Sequence, residues 1–222
     1  MTPSGLLGSL RIKGYKVLTR PYELNIVGIR NTSTKPNSFD DKIAVLYKDD
    51  SGKWNLNEYD ATTDTGTYWL LNPMASKGSA LLKEGQYKDS HKIGVHRGKY
   101  TALVQQNPVT VVRDYNRDAV LDFNNGREEK GIFGINIHRA NSVGTTKEVD
   151  QYSAGCQVFS NAEDFAEFLT LAQRHKDRYG NNFTYTLIDQ RAIRRTILRR
   201  SVYSLIAVGL IVGAYMYYRS KK

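Results

Sequence analysis

The chain has one cysteine among its 222 residues, so the sequence excludes an intramolecular disulfide and any fold that depends on several of them. Its first residues, MTPSGLLGSLRIKGYK, lack the charged region, apolar region and small-residue cleavage site that a secretory signal combines. Export by that route is therefore not supported. With 40% hydrophobic and 24% charged residues, the composition predicts a folded protein rather than a disordered one.

Outside the C-terminal region the chain has only a small excess of positive charge. The formal net charge is +10, but residues 188–222 contain eight Arg or Lys and one Asp, which leaves about +3 for the rest of the chain. A domain that binds nucleic acid usually carries a clear basic excess of its own. This distribution argues against nucleic acid as a partner.

Long uncharged hydrophobic runs are missing except at residues 201–218. As a helix this stretch is about 27 Å long, close to the roughly 30 Å of a bilayer core, and tyrosines stand near both ends. We therefore expect one C-terminal transmembrane helix in a lipid bilayer, with a buried helix as the alternative. Five arginines before the stretch against three basic residues after it favour a cytoplasmic main domain. Gly209 and Gly213 suggest a homodimer through this helix.

The region before this stretch is predicted to contain mostly short strands. Apolar segments at 42–47 and 54–59 flank a turn and are typical of a hairpin. A capping box at 160–163, followed by apolar residues at helical spacing, predicts a helix that ends near Gly180. Further strands are predicted at 67–71, 81–87, 101–105, 109–113, 131–138 and 183–187.

The single cysteine lies in the segment that is most suggestive of chemistry, residues 135–159. A thiol attacks acyl carbons only as a thiolate, so it needs a nearby base and donors for the developing oxyanion. Cys156 is the candidate nucleophile, and His138, on the strand face opposite the bulky apolar residues, is the candidate base. The backbone N–H groups of Gly155 and Cys156 are the expected oxyanion donors, since glycine permits tight or left-handed geometry. A buried, inert cysteine is the alternative.

This pattern resembles the signature of the L,D-transpeptidase catalytic domain, which is a strand ending in histidine, a polar loop, and a Ser-x-Gly-Cys segment. The match is specific across residues 131–159 and includes His138, Ser153, Gly155 and Cys156. The resemblance implies a mainly β fold with α, a β-rich sandwich with a packed helix. It also implies acyl transfer on peptidoglycan stem peptides, in which the cysteine forms a thioester that passes to an amine or to water, without a metal or an organic cofactor.

Three positions depart from the family pattern. Ala154 stands where the family usually has a second histidine, Arg139 replaces a glycine, and Gln157 replaces an Arg or Asn. Arg139 is suited to bind a substrate carboxylate by bidentate contact, and an exposed charge is the equal alternative. The stretch at 85–105 also looks like the substrate-side strands of a divergent, phage- or mobile-element-type branch of the family. The expected substrate-binding residues are Arg139, Gln157, Tyr100 and His96, with a surface or core role as the alternative for the last two.

One acidic stretch, DYNRDAVLD at 114–122, spaces its polar side chains as calcium loops do. It lacks glycine at the sixth position, and its twelfth position is Asn125 rather than Glu. We therefore expect a polar turn and no metal site.

Together these features divide the chain into an N-terminal β-rich segment (1–64), an L,D-transpeptidase-like catalytic domain (65–190) and a basic-flanked transmembrane anchor (191–222). We expect a membrane-anchored cysteine enzyme that acts on peptidoglycan stem peptides as a transpeptidase or a peptidase. Its expected location is the bacterial envelope or the membrane of a phage virion, with a role in the virion or in lysis. The alternative is a catalytically silent wall-binding or membrane-anchored structural protein, which Ala154 favours.

Overall fold

The computed structural model describes residues 1–124 and 126–190, and this part of the chain is mainly β. Its helices are α1 (Pro3–Ile12), α2 (Thr67–Leu71) and α3 (Ala162–Tyr179), with a short 3-10 helix at Asp150–Tyr152. Its strands are β1 (Asn25–Arg30), β2 (Asp41–Lys48), β3 (Trp54–Thr62), β4 (Ser79–Leu82), β5 (Gly85–His96), β6 (Tyr100–Gln105), β7 (Val109–Asp114), β8 (Glu128–Gly131), β9 (Ile137–Arg139), β10 (Gln157–Phe159) and β11 (Phe183–Asp189).

Eight of these strands form a closed barrel in the order β1-β11-β5-β6-β9-β10-β3-β2, while β4, β7 and β8 form a separate sheet. The sandwich predicted from the sequence is therefore wrong. Period-two alternation shows which strand faces are buried but does not say which strands are hydrogen-bonded, so a closed sheet and two facing sheets look alike in sequence. The barrel is closed by parallel pairing of β11 with β1. It takes strands from both 1–64 and 65–190, so the predicted boundary at 64 falls within it.

The main apolar core joins the barrel to α3. The ring of Phe159 on β10 lies 5.4 Å from that of Phe165 and 5.0 Å from that of Phe168, measured between centroids, and all three side chains are buried. Aromatic rings at these separations add to the free energy gained from burial alone. A second cluster packs α1 onto β1, β2 and β11; its buried members are Leu6, Leu7, Leu10, Val27, Ile29, Ala44, Leu46 and Ile188.

The helix predicted after the capping box is confirmed as α3, but its cap is one residue later than expected. Asn161 is the N-cap, and its side-chain oxygen accepts hydrogen bonds from the N–H groups of Glu163 at 2.8 Å and Asp164 at 2.9 Å. The hairpin predicted from 42–47 and 54–59 is also confirmed, since β2 pairs with β3 along its whole length.

The strand predicted at 67–71 is wrong, because these residues form α2. Thr, Tyr and Trp favour strands by propensity, but tertiary contacts override that preference here. The N–H of Gly66 donates to the carbonyl oxygen of Ser153 at 2.9 Å, and Trp69 Nε1 donates to that of Gln151 at 3.0 Å. These bonds hold α2 against the segment that leads to Cys156.

The transmembrane helix of the predicted fold class has no counterpart in the described part of the chain. No helix within residues 1–124 and 126–190 is long and apolar enough to cross a membrane. The longest described helix, α3, exposes charged side chains such as Glu167 and Arg174 along one face. The stretch at 201–218, for which a transmembrane helix was predicted, lies outside the described residues, as do the glycines proposed to join two such helices.

Candidate active site

The parallel pairing of β9 and β10 brings the cysteine to the strand that carries the histidine. His138 lies opposite Val158 in the register of these strands. Cys156 directly precedes β10 and lies beside Asn136, whose backbone N–H donates to the cysteine sulfur at 3.5 Å. Cys156 therefore lies two positions before the residue that pairs with His138 on the neighbouring strand.

The turn before Cys156 requires a glycine. Gly155 has φ +122°, and a Cβ atom at this position would lie 2.2 Å from the carbonyl oxygen of Ala80. The hydroxyl of Ser153, a fully buried residue, accepts a hydrogen bond from Gly155 N–H at 3.2 Å and donates one to the carbonyl oxygen of Cys156 at 2.8 Å. The Gly155 N–H, expected as an oxyanion donor, is therefore already bonded within the turn. The Cys156 N–H makes no hydrogen bond in the described part of the chain.

The thiol of Cys156 is half-buried and donates a hydrogen bond to the carbonyl oxygen of Gly134 at 3.3 Å. Burial raises the pKa of this thiol, while the Asn136 N–H and the positive charge of Arg97 act in the opposite direction. Among the described residues, no hydrogen bond joins the sulfur to His138. The resting cysteine is therefore a neutral thiol that faces a carbonyl oxygen.

His138 is buried, and the backbone of the next residue determines its tautomer. Its Nδ1 lies 2.8 Å from the carbonyl oxygen of Arg139, which can only accept, so Nδ1 carries the proton and Nε2 has the free lone pair. The hydroxyl of Tyr100 donates to the same carbonyl at 3.1 Å. Burial and the neighbouring His96 lower the pKa of His138 to about 3. This ring is neutral at physiological pH, with the lone pair of Nε2 free.

His96, at the end of β5, stacks on His138 with the ring centroids 4.1 Å apart and 24° between the planes. Its Nδ1 lies 3.0 Å from the side-chain Nδ2 of Asn136. The orientation of that amide is determined because its Oδ1 accepts the N–H of Gln105 at 2.9 Å. Nδ1 of His96 is therefore an acceptor, and the proton of the neutral ring is on Nε2. Burial, and secondly the charge of Arg97, lower the pKa of His96.

Cys156, His138 and His96 line one cavity of about 220 Å³. Its remaining walls are mostly aromatic or apolar, apart from one cation and a few polar groups. They are formed by Trp69, Met74, Arg97, Phe133, Gly134, Ile135, Asn136, Gln151, Tyr152 and Ala154. A second cavity of about 180 Å³ adjoins the first, because the two share Trp69, Met74, Phe133 and Ala154.

Of the four substrate-binding residues predicted from the sequence, the structure places only His96 on the wall of this described cavity. The guanidinium carbon of Arg139 lies 4.5 Å from the ring centroid of Tyr100, and the hydroxyl of Tyr100 lies 3.1 Å from Nδ1 of His138. Neither Arg139 nor Tyr100 lines this cavity. Gln157 is fully buried, and its Oε1 accepts a hydrogen bond from the hydroxyl of Tyr185 at 2.6 Å. Gln157 therefore stabilises the barrel rather than facing a ligand.

Arg97 is the charged wall residue that sequence reasoning missed. It occupies the turn between β5 and β6 with φ +51°, its side chain is exposed, and it forms no ion pair among the described residues. The Arg-Gly pair between two apolar strands is a signal for a turn. Only the fold places that turn beside Cys156.

Gln105 and His91 hold the segment that contains Gly134, the acceptor of the thiol. The Oε1 of Gln105 accepts the N–H groups of Phe133 and Ile135, each at 3.0 Å. Nε2 of His91 donates to the carbonyl oxygen of Ile135 at 2.9 Å, and burial lowers the pKa of His91 to about 4. Neither role is indicated by the sequence, since both depend on contacts between distant strands.

The acidic stretch at 114–122 forms a turn that is bonded within itself. Asn116 Nδ2 donates to the side chain of Asp118 at 2.9 Å and to that of Asp122 at 2.7 Å. Within residues 1–124 and 126–190, no group of three or more His, Cys, Asp or Glu side chains is arranged to hold a metal ion.

Comparisons with protein-family models, with curated proteins and with solved structures find no match for this chain.

Proposed function

We propose that the protein is a cysteine acyltransferase or peptidase that acts on peptidoglycan stem peptides through a thioester. One observation carries this proposal: His138 keeps an unprotonated Nε2 in the same cavity as the thiol of Cys156. A neutral imidazole beside a thiol is what general-base activation of a sulfur nucleophile requires. The substrate class comes from the resemblance of the His138 and Ser153–Cys156 segments to the L,D-transpeptidase signature.

In the proposed mechanism, the S–H of Cys156 turns from Gly134 towards His138 when substrate enters. The proton passes to His138 Nε2, either directly or through one water, and the thiolate attacks the carbonyl carbon of a peptide bond. The C–N bond breaks as His138 returns the proton to the leaving amine, and the acyl group remains on sulfur as a thioester. A second amine or a water molecule, deprotonated by His138, then attacks the thioester and releases the thiol.

The cavity walls support a peptide substrate that carries a free carboxylate. Arg97 is a cation at the cavity with no ion-pair partner among the described residues, and guanidinium groups bind carboxylates in a bidentate manner. Trp69, Phe133 and Tyr152 provide apolar surface for aliphatic side chains. Arg97 therefore takes over the role that the sequence suggested for Arg139.

A second candidate, a catalytically silent wall-binding protein, is favoured by the resting state of the thiol. Burial raises the pKa of Cys156, and the hydrogen bond to Gly134 directs the S–H away from His138. Such a protein would bind peptidoglycan in the same cavity without forming a thioester.

The two candidates are separated by incubating the full chain, and its Cys156→Ser variant, with purified muropeptides and analysing the products by mass spectrometry. The enzyme is expected to release or exchange a stem-peptide residue, and the serine variant is expected to do neither. Sedimentation of both proteins with purified sacculi is the companion measurement. Equal sedimentation without product from either protein would favour the silent alternative and contradict the enzyme.

A further inference from the structure

We propose that His96 is a second catalytic histidine of this site, and that its Nε2–H donates a hydrogen bond to the carbonyl oxygen of the acyl donor as that oxygen becomes an oxyanion. His96 has this role only if the chain forms the thioester proposed above. The proposal assigns the two histidines of the cavity to different steps, one to moving the proton and the other to stabilising charge.

The backbone around Cys156 offers few donors for an oxyanion. Ser153 already accepts the N–H of Gly155, and the N–H of Asn136 is directed at the sulfur itself. Ala154, on the same cavity wall, has only a methyl group. Acyl transfer depends strongly on donors aimed at the developing negative charge, so a side-chain donor that acts beside the Cys156 N–H stabilises that charge further.

His96 has the required donor. Its Nδ1 is occupied by the amide of Asn136, and that amide cannot be reversed without losing its bond from Gln105. The remaining polar atom of the ring is Nε2, which carries the proton and has no hydrogen bond among the described residues. Because His96 is largely buried and lines the cavity, this N–H lies where water competes weakly for it.

The position of the ring is determined by its neighbours. His138 stacks on it at 4.1 Å, the ring of Tyr100 lies 5.4 Å from it, and Asn136 holds its Nδ1. Asn136 also contacts the sulfur of Cys156 through its backbone N–H, so the donor and the nucleophile are positioned by one residue. A donor held in this way needs little reorganisation when charge develops.

The test compares two reactions of the sole cysteine in the full chain at one pH. Acylation by a carbapenem-type β-lactam passes through a tetrahedral oxyanion, whereas alkylation by iodoacetamide displaces iodide and forms none. The variant His96→Phe keeps a ring against His138 and removes the N–H. We expect its acylation rate to fall about 100-fold while its alkylation rate stays within about 3-fold of the wild type. Both rates are followed by intact-protein mass spectrometry.

The variant His96→Gln is the matched control, because its side-chain amide again supplies an N–H and an acceptor. We expect its acylation rate to stay within about 10-fold of the wild type. A parallel loss of both reactions in His96→Phe, or a loss of neither, would overturn the role of His96. Absence of acylation in the wild type, with alkylation retained, would overturn the proposed function and this role together.

A further measurement is made on the wild-type chain itself, and a variant serves only to assign its signals. Imidazole ¹⁵N spectra of the wild-type chain at neutral pH report the tautomer of each histidine. We expect His96 to carry its proton on Nε2, assigned by the loss of its signals in His96→Gln. A proton on Nδ1 of His96 would remove the proposed donor and overturn the inference.

Discussion

Nδ1 of His138 lies 2.8 Å from the carbonyl oxygen of Arg139, the residue that follows it in the chain. The other three histidines have the reverse arrangement. Nδ1 accepts in His96 and in His175, and Nε2 of His91 donates to a carbonyl oxygen. His138 is therefore the one histidine of the four in the chain whose acceptor nitrogen is Nε2.

This arrangement predicts the tautomer pattern of the whole protein. At neutral pH, ¹⁵N spectra should show three rings protonated on Nε2 and one protonated on Nδ1, and the variant His138→Gln should remove the latter. The reason is that a backbone carbonyl oxygen can only accept, so it selects the N–H form of the nitrogen that faces it. A fourth Nε2–H ring would mean that His138 lacks the acceptor assigned to it.

The pH dependence of thiol reactivity follows from the burial of Cys156. Burial raises the pKa of the thiol above its ordinary value of 9.0, and the thiolate is the reactive form. The rate of alkylation by iodoacetamide should therefore keep rising as the pH increases beyond about 9, with no plateau at neutral pH. The same chain unfolded in guanidinium chloride is the control and should level off at a lower pH. A plateau between about pH 5 and 8 in the folded protein would instead indicate a resting thiolate–imidazolium pair.

The turn before the cysteine should tolerate no side chain. Gly155→Ala places a Cβ atom 2.2 Å from the carbonyl oxygen of Ala80 at φ +122°, so it should lower the free energy of unfolding by about 2 to 4 kcal/mol. Gly14→Ala is the matched control, since Gly14 has φ +73° with no atom near its Cβ position. Gly14→Ala should lower the free energy of unfolding by only about 1 kcal/mol. Urea denaturation measures both, and equal losses would show that the contact with Ala80 does not constrain the turn.

Substrate affinity should depend on Arg97 and not on Arg139. Arg97 lines the cavity, whereas Arg139 lies over the ring of Tyr100. Arg97→Ala should raise KM for a stem peptide with a free carboxylate about 10- to 100-fold, and Arg139→Ala should change it little. A peptide amidated at that carboxylate should bind both variants and the wild type alike. A larger effect of Arg139→Ala would return the carboxylate site to the position that the sequence suggested.

Local features of the fold could be predicted from the sequence because they depend on neighbouring residues. The hairpin of β2 and β3 follows from two apolar segments around a polar turn, and α3 follows from a cap and helical spacing. The barrel could not be predicted, since β11 is paired with β1 across most of the described chain. Residues 67–71 have strand propensity but form a helix because Gly66 and Trp69 bond to the segment before Cys156.

The two central residues of the candidate site could be singled out from the sequence, but the walls of its cavity could not. Cys156 and His138 stand out by residue type and by the strand pattern around them, and parallel pairing of β9 and β10 brings them to one cavity. The sequence suggested Gln157 as a ligand contact. Successive side chains on β10 point to opposite faces, and the side chain of Gln157 lies inside the barrel. Arg97 was not considered, because its proximity to the thiol arises from the β5–β6 turn and not from the motif.

The most direct test of the central claim is to trap the acyl-enzyme. The full chain is mixed with purified muropeptides, quenched in acid after increasing times, and measured by intact-protein mass spectrometry. We expect a transient mass gain equal to the acyl fragment, located on the peptide that contains Cys156, absent in Cys156→Ser and formed at least about 100-fold more slowly in His138→Gln. Muropeptide turnover without such an adduct, or with an adduct that forms equally fast in His138→Gln, would contradict a thioester formed with the help of that histidine.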